Sequence, residues 1–331
     1  MALSPVETPP PSGALPAGEA APVRSSAHRK RLRVPQSLRL LLGNPKAAFG
    51  VGLLAAIVIA ALAAPLFTSH AATDAGEYPH QPPSWHYPFG TTDQGYNVYS
   101  QVLYGGRMSL AVAGVASVIA MVIAISLGLL AAYCGGLVDD LIVLLTNIFI
   151  VIPVLPLLIV ISSFLKVTGP VVMALIIGFT SWAIETRILR GQALSLRNRD
   201  FVLAAKVAGE STLRIVFGEF MPNMLSRIAA GVAFVFVQAV FYEAALEFLG
   251  FGDANKVSWG TILFWATNNS SLLQGEWWHF LFPGLAISLT ILAIVFINYG
   301  IDELSNPRLR GPKTHTTRRR LLAIVWPKGA A

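Results

Sequence analysis

The sequence predicts an all-α integral membrane protein with six transmembrane helices. Three observations carry that expectation. Only 12% of the 331 residues are charged, and mean hydropathy is +0.62, whereas soluble domains carry about 25% charged residues to coat their exterior. The apolar residues fall in six runs near the ~20-residue length that crosses a bilayer. The basic residues gather in alternate connections between those runs.

Taken in order, residues 1–43 read as a disordered basic tail, because 1–23 are rich in Pro, Ala, Gly and Ser and such composition does not support a packed core. The segment 44–107 holds the first span, 47–67, and a polar stretch behind it. The roughly 46 residues before this span exceed an ordinary signal-peptide n-region, so it is expected to stay in the membrane. A core of 108–305 follows, with spans at 108–133, 139–164, 170–190, 228–249 and 279–299. Pro153 and Pro156 predict a kink in the third span, since proline removes a backbone donor. A polar loop at 191–227 separates spans four and five, and 306–331 forms a second basic tail. The single Cys134 excludes an intrachain disulfide.

Charge placement sets the expected orientation. Of 24 Lys and Arg, seven lie in the N-terminal tail through Lys46, seven within 187–227, and seven between Arg308 and Lys328. Only Arg107, Lys166 and Lys256 lie elsewhere. Six spans put the three basic groups on one side, which the positive-inside rule makes cytoplasmic. Both termini are therefore expected inside a cell inner membrane. The net charge of +7 needs no nucleic-acid partner, because anionic lipid attracts basic residues by about 1 kcal/mol each. The segments 68–107 and 250–278 then face outward, poor in positive charge and suited to a soluble extracytoplasmic partner.

The polar loop predicts helix, tight turn, helix. Asp200 precedes good helix formers and reads as a cap. Gly209 can end that helix in the left-handed conformation. Ser211 reads as the cap of a second short helix through Phe217, and Pro222 fits the first turn of the next one. The small residues Ala204, Ala205 and Ala208 leave a surface that can lie in a groove, with Arg197, Arg199 and Arg214 pairing at its rim. An amphipathic loop resting on the bilayer is the alternative at this point.

Other candidates are fewer. Glu243 and Glu247 share a helix face at i, i+4 near the end of the fifth span. Intramembrane carboxylates mark proton or ion paths in many proteins, which keeps a proton-coupled secondary transporter open as a reading. Gly250 ends the span soon after, so both carboxyls are expected to touch interfacial water in a structural role. Asp139 and Asp140 open the third span and read as helix-capping acids. His80, His86 and Glu77 are too irregularly spaced for a strong metal signal. No phosphate-binding loop is present, so catalytic, cofactor and metal sites are all expected to be absent from this chain. A non-transporting scaffold that recruits cytoplasmic proteins is the remaining alternative.

The loop resembles one found in bacterial ABC importer permeases. There the pattern is Glu-Ala-Ala, three residues, Gly, nine residues, Ile, any residue, Leu-Pro. Ala204, Ala205, Gly209 and Pro222 stand at that spacing, while Leu203 replaces the Glu and Glu219 the Ile. Residues 89–110 are similar to a block in the second, C-type permease of the dipeptide/oligopeptide/nickel importers. Phe89, Gly90, Thr91, Asp93, Gly95, Val98, Ser100, Gly105, Arg107, Ser109 and Leu110 fit it; Tyr96, Asn97 and Gln101 depart. Asn44-Pro45-Lys46, 243–252, Ser258-Trp259-Gly260, Phe282-Pro283-Gly284 and 306–310 resemble further family blocks, so the likeness runs from about 44 to 310. It implies a type I ABC importer permease for di- or oligopeptides, coupled to ATPases through residues 199–222, with Ala204, Ala205, Gly209, Ser211, Arg214 and Pro222 in the docking element. It also implies a homologous permease partner, two ATPase subunits or domains that hold ATP and Mg, and an extracytoplasmic binding protein.

Overall fold

The computed structural model describes residues 44–68, 72–74, 78–165 and 169–305, with side chains through Glu303. Both expected basic tails fall outside these residues, apart from the entry at Asn44, as does Glu77. Among the described residues the chain is helical, with one isolated β-bridge, Thr91 to Asn97.

Helix α1 spans Pro45–Leu62. The Asn44 side chain accepts from Lys46 N at 2.9 Å, and Pro45 occupies the first turn, where no donor is lost. A short α2, Ala64–Phe67, follows. The longest helix, α3, runs Val98–Cys134 and is capped by Asn97, whose Oδ1 accepts from Tyr99 N at 3.0 Å. It begins ten residues before the expected 108, because Tyr99, Ser100, Gln101 and Arg107 lower the hydropathy of a stretch that is nonetheless helical. A seam of Gly105, Ser109, Ala113, Ala116, Ala120, Ala124, Gly128 and Ala132 is buried along it. Such small side chains let helix backbones approach closely inside a membrane protein. A Cβ on Gly128 would stand 2.9 Å from the Thr186 carbonyl oxygen.

The third span is broken rather than kinked. Helices α4, Gly136–Val151, and α5, Val154–Leu165, meet at 87°. Ile152 is extended, with ψ 122°, as the residue before proline prefers. The fourth span is also in two pieces, α6, Pro170–Thr180, and α7, Ala183–Leu196, bent by 42°. Helix α7 continues past the expected end at 190. Arg187 and Arg190 lie on this helix, within the expected fourth span, and the extra turn carries it into the expected loop.

Four short elements make the loop: α8 (Asp200–Val207), α9 (Thr212–Arg214), a π-helical segment (Ile215–Phe220) and α10 (Met221–Asn223). Helix α11 (Leu225–Phe248) forms the fifth span. Helix α12 (Trp259–Asn268) lies between the fifth and sixth spans, and α13 (Trp278–Ser305) forms the sixth span, with Pro283 inside. Among the described residues four helices can cross a membrane alone by length and apolarity, and up to six spans result when each bent pair counts as one. The α3 helix is central, with α1, α6, α7 and α11 packed along it and α13 against α1 and α11.

Candidate functional site

The loop folds as the glycine placement predicts. Helix α8 ends in a Schellman motif: Glu210 N donates to Ala205 O and Gly209 N to Lys206 O, both at 3.1 Å. Gly209 has φ +77°, and a Cβ there would meet nothing within 4 Å. Its requirement is conformational, not steric. Ser211 caps α9, accepting from Arg214 N at 3.4 Å, and Pro222 stands in the first turn of α10. One expectation fails: Arg199 is the N-cap of α8, and Asp200 is its first residue with no side-chain capping bond. Asp200 still favours the helix start by its charge.

One face of the loop is anchored. Val202, Ile215, Val216 and Phe220 are buried in a cluster with Leu129, Trp182, Leu189 and Met224. The wide π turn sets Ile215 and Phe220 five positions apart on the same buried side. Lys206 sits over the Tyr133 ring at 5.1 Å. The other face is open and apolar: Val207 is 90% exposed and Leu213 65%. Between the short helices lies a shallow cleft of about 410 Å³, lined by Phe201, Ala204, Ala205, Ala208, Arg214 and Glu219 among others. The expected rim pairs differ in partner. Arg214 Nε contacts Glu210 Oε2 at 2.9 Å within the loop, and Arg197 packs against Gly135 at the end of α3.

The 89–110 block organises the opposite end of the chain. Phe89 stacks on Phe282 with centroids 3.8 Å apart. Gly90 has φ +75°, and a Cβ would lie 2.7 Å from both Gln81 O and Trp278 Nε1. Thr91 Oγ1 donates to Tyr78 O at 2.9 Å, and its carbonyl accepts from Trp278 Nε1 at 3.1 Å. Asp93 accepts from Asn269 Nδ2 at 2.8 Å, and His80 pairs with the buried Glu276. Gly95 turns the chain at φ +79°. Arg107 donates to Ala61 O and Leu62 O, each at 2.6 Å, satisfying carbonyls at the end of α1. These residues clasp 78–97 to 269–282 and fix α1. Among the described residues no group of three or more His, Cys, Asp or Glu could hold a metal.

Glu243 and Glu247 do not touch interfacial water. Both are buried, Glu243 at 0% exposure. Ser109 Oγ donates to Glu243 Oε1 at 2.9 Å and accepts from Trp259 N at 3.1 Å. Ser258 Oγ donates to Glu247, and Ser258 also forms a capping box with Thr261. Gly252 and Gly260 close over Glu247, where a Cβ on either would lie 2.7 Å from its side chain. The pair thus pins the start of α12 onto α3 and α11.

Two ion pairs join the broken span to its neighbours. Arg190 contacts both oxygens of Asp139, at 2.5 and 2.6 Å, so Asp139 ties α4 to α7 instead of capping α4, whose N-cap is Gly135. Arg227 Nη2 contacts both oxygens of Glu185, at 2.8 and 3.1 Å, across α7 and α11. Arg187 donates to Asn147 Oδ1 at 2.6 Å. Counting arginines as loop charge concealed all three. Acids buried within apolar runs, Glu185 above all, were the signal that could have found the pairs.

Comparison with known proteins places this geometry. The profile of the binding-protein-dependent transport system inner membrane component matches residues 124–311. The chain is 32% identical over 278 residues to the dipeptide transport system permease protein DppC of Bacillus subtilis (strain 168), covering 82% of this chain and 85% of the relative. It is 34% identical over 276 residues to a putative peptide transport system permease protein of Brucella abortus biovar 1, covering 82% and 91%. A dipeptide permease protein DppC of Alkalihalophilus pseudofirmus is 32% identical over 280 residues, covering 83% and 90%.

Proposed function

The chain belongs to the family of binding-protein-dependent transport system inner membrane components, and from that premise we propose that it imports di- or oligopeptides, moved by ATP hydrolysed on separate subunits. It is a permease of an ABC importer and not itself an enzyme. In this reading it pairs with a homologous permease. Two ATPase subunits dock from the cytoplasm, and a binding protein delivers peptide from outside. Both termini face the cytoplasm, as the basic residues of the tails and of 187–227 suggest.

The observation that carries the coupling role is the two-faced loop. Its buried face is locked to α3, α7 and the start of α11, while Val207, Leu213 and the alanine cleft stand open. An exposed apolar patch on a rigid mount is a docking surface for protein. A push there passes into the spans, because the loop cannot shift alone. ATP and Mg belong to the ATPase subunits in this scheme, and anionic lipid to the basic tails. The outward clasp of 78–97 with 253–279 is the surface offered to the binding protein.

Ala205→Glu and Gly209→Asp test the loop. The first fills the cleft and places an unpaired charge in a packed contact, which costs several kcal/mol unless the contact opens. The second loads a left-handed position with a Cβ, at about 1 kcal/mol or more. Both variants should reach the membrane, lose ATPase subunits in pull-down and lose uptake. Normal ATPase binding with normal uptake in both would remove 199–222 as the coupling element.

A further inference from the structure

Arg187 is exposed on α7, in a stripe with Ile184, Ile188, Gly191, Gln192 and Ser195. Its partner Asn147 lies on α4, also exposed. At 1.5 Å per residue, Asn147 stands about 16 Å along α4 from Gly136, near the middle of a hydrocarbon core of ~30 Å. Arg187 follows the α6–α7 bend by little more than one helical turn. Both side chains therefore sit at the level where the third and fourth spans are broken. Non-helical backbone at that depth occurs only where protein buries it or water reaches it.

Among the described residues no carboxylate pairs with Arg187: Glu185 is taken by Arg227, and Asp139, about two turns from Asn147 on α4, by Arg190. Asn147 takes one N–H with a neutral amide oxygen, leaving the other donors of the guanidinium unused by it. An arginine facing lipid at mid-depth costs about 2.5–3.5 kcal/mol even on insertion scales. Ile184 and Ile188 flank Arg187 on this stripe, and toward the loop Gln192 and Ser195 continue it as polar surface.

We propose that Arg187, held by Asn147, faces the water-filled conduit between the permeases and binds the carboxylate of a peptide in transit. The inference rests on the importer reading given above. A planar fork of donors matches a carboxylate in two parallel bonds. One such bond set at mid-depth is strong enough to select and weak enough to release when the spans move.

The test uses the reconstituted complex of both permeases and ATPases, supplied with its extracytoplasmic binding protein. Arg187→Cys in a Cys134→Ser background should react with impermeant methanethiosulfonates, charged positively or negatively, at least tenfold faster than Leu144→Cys on the apolar face of α4. Uptake of dialanine should fall at least tenfold in Arg187→Gln. The trimethylammonioethyl adduct at position 187 should recover part of that uptake, and the sulfonatoethyl adduct none. A purely structural role would not respond to the sign of the adduct. Labelling no faster than at Leu144 would overturn the proposal, with Arg187 then covered by the partner permease or lipid. Undiminished uptake in Arg187→Gln would overturn it as well. A wild-type complex that takes up no dialanine would instead defeat the peptide reading and the ligand named here, while the labelling rate still decides whether the surface is wet.

Discussion

Breaking the Glu185–Arg227 pair should destabilise the permease far more than erasing it. Glu185 is 1% exposed, and Arg227 meets both of its oxygens at 2.8 and 3.1 Å. The pair bridges α7 and α11, the two helices between which the 197–224 loop is strung. Arg227→Met strands a buried carboxylate, a change that costs about 3–5 kcal/mol in such settings. Gly231 lies close against Glu185, where a Cβ would stand only 2.6 Å from Oε2, so the carboxylate cannot turn toward that side for another partner. Adding Glu185→Leu removes the stranded charge, and the double variant should regain most of the loss, since well-packed apolar replacements of ion pairs are often neutral. Melting of the detergent-purified complex, followed by size exclusion, reads the cycle. On the scaling of soluble domains the single variant should melt roughly 10 °C lower. A single variant as stable as wild type, or a double variant no better than the single, would refute the idea that the pair is buried and coupled.

Three further outcomes follow from residues already placed. In a Cys134→Ser background, single cysteines at Ser84 and Asn269 should label from outside with an impermeant reagent, and one at Ser211 only after permeabilisation; labelling of position 211 in intact cells would invert the topology. Gly90→Ala should lose about 1–3 kcal/mol, from its left-handed φ and the contact with Trp278, and a normal melting temperature would count against that packing. Arg107→Ala deprives the Ala61 and Leu62 carbonyls of a charged donor, at about 1.5–3 kcal/mol, and should speed proteolysis near α2; unchanged digestion would show that α1 is held by its packing on α3 and α13 without this arginine.

The sequence made the spans legible because lipid imposes a length and a hydropathy that no soluble helix needs. The Schellman turn was legible because glycine at 209 follows a run of good helix formers. The 87° break was not. Pro153 marks where a hydrogen bond is lost, but the angle depends on what α5 packs against, chiefly α6 and α11. The early start of α3 was hidden because its opening turns bury polar Ser100, Gln101 and Ser109, and hydropathy counts those as loop. The sealing of Glu243 and Glu247 depends on Ser109, Ser258 and two glycines brought from distant segments. Sequence distance conceals such partners, and the same holds for Arg187 and Asn147.

The bend at Ser181–Trp182 makes α7 a lever. At 1.5 Å per residue its fourteen residues form a rod of about 21 Å with its fulcrum at mid-depth. A tilt of about 10° at the fulcrum would carry the Leu196 end, and the loop attached to it, through nearly 4 Å. The same tilt moves Arg187, close to the pivot, by about 1 Å. In the proposed importer, a stroke delivered to the loop would thus arrive at Arg187 geared down roughly fourfold, enough to lengthen a hydrogen bond without displacing the helix that bears it.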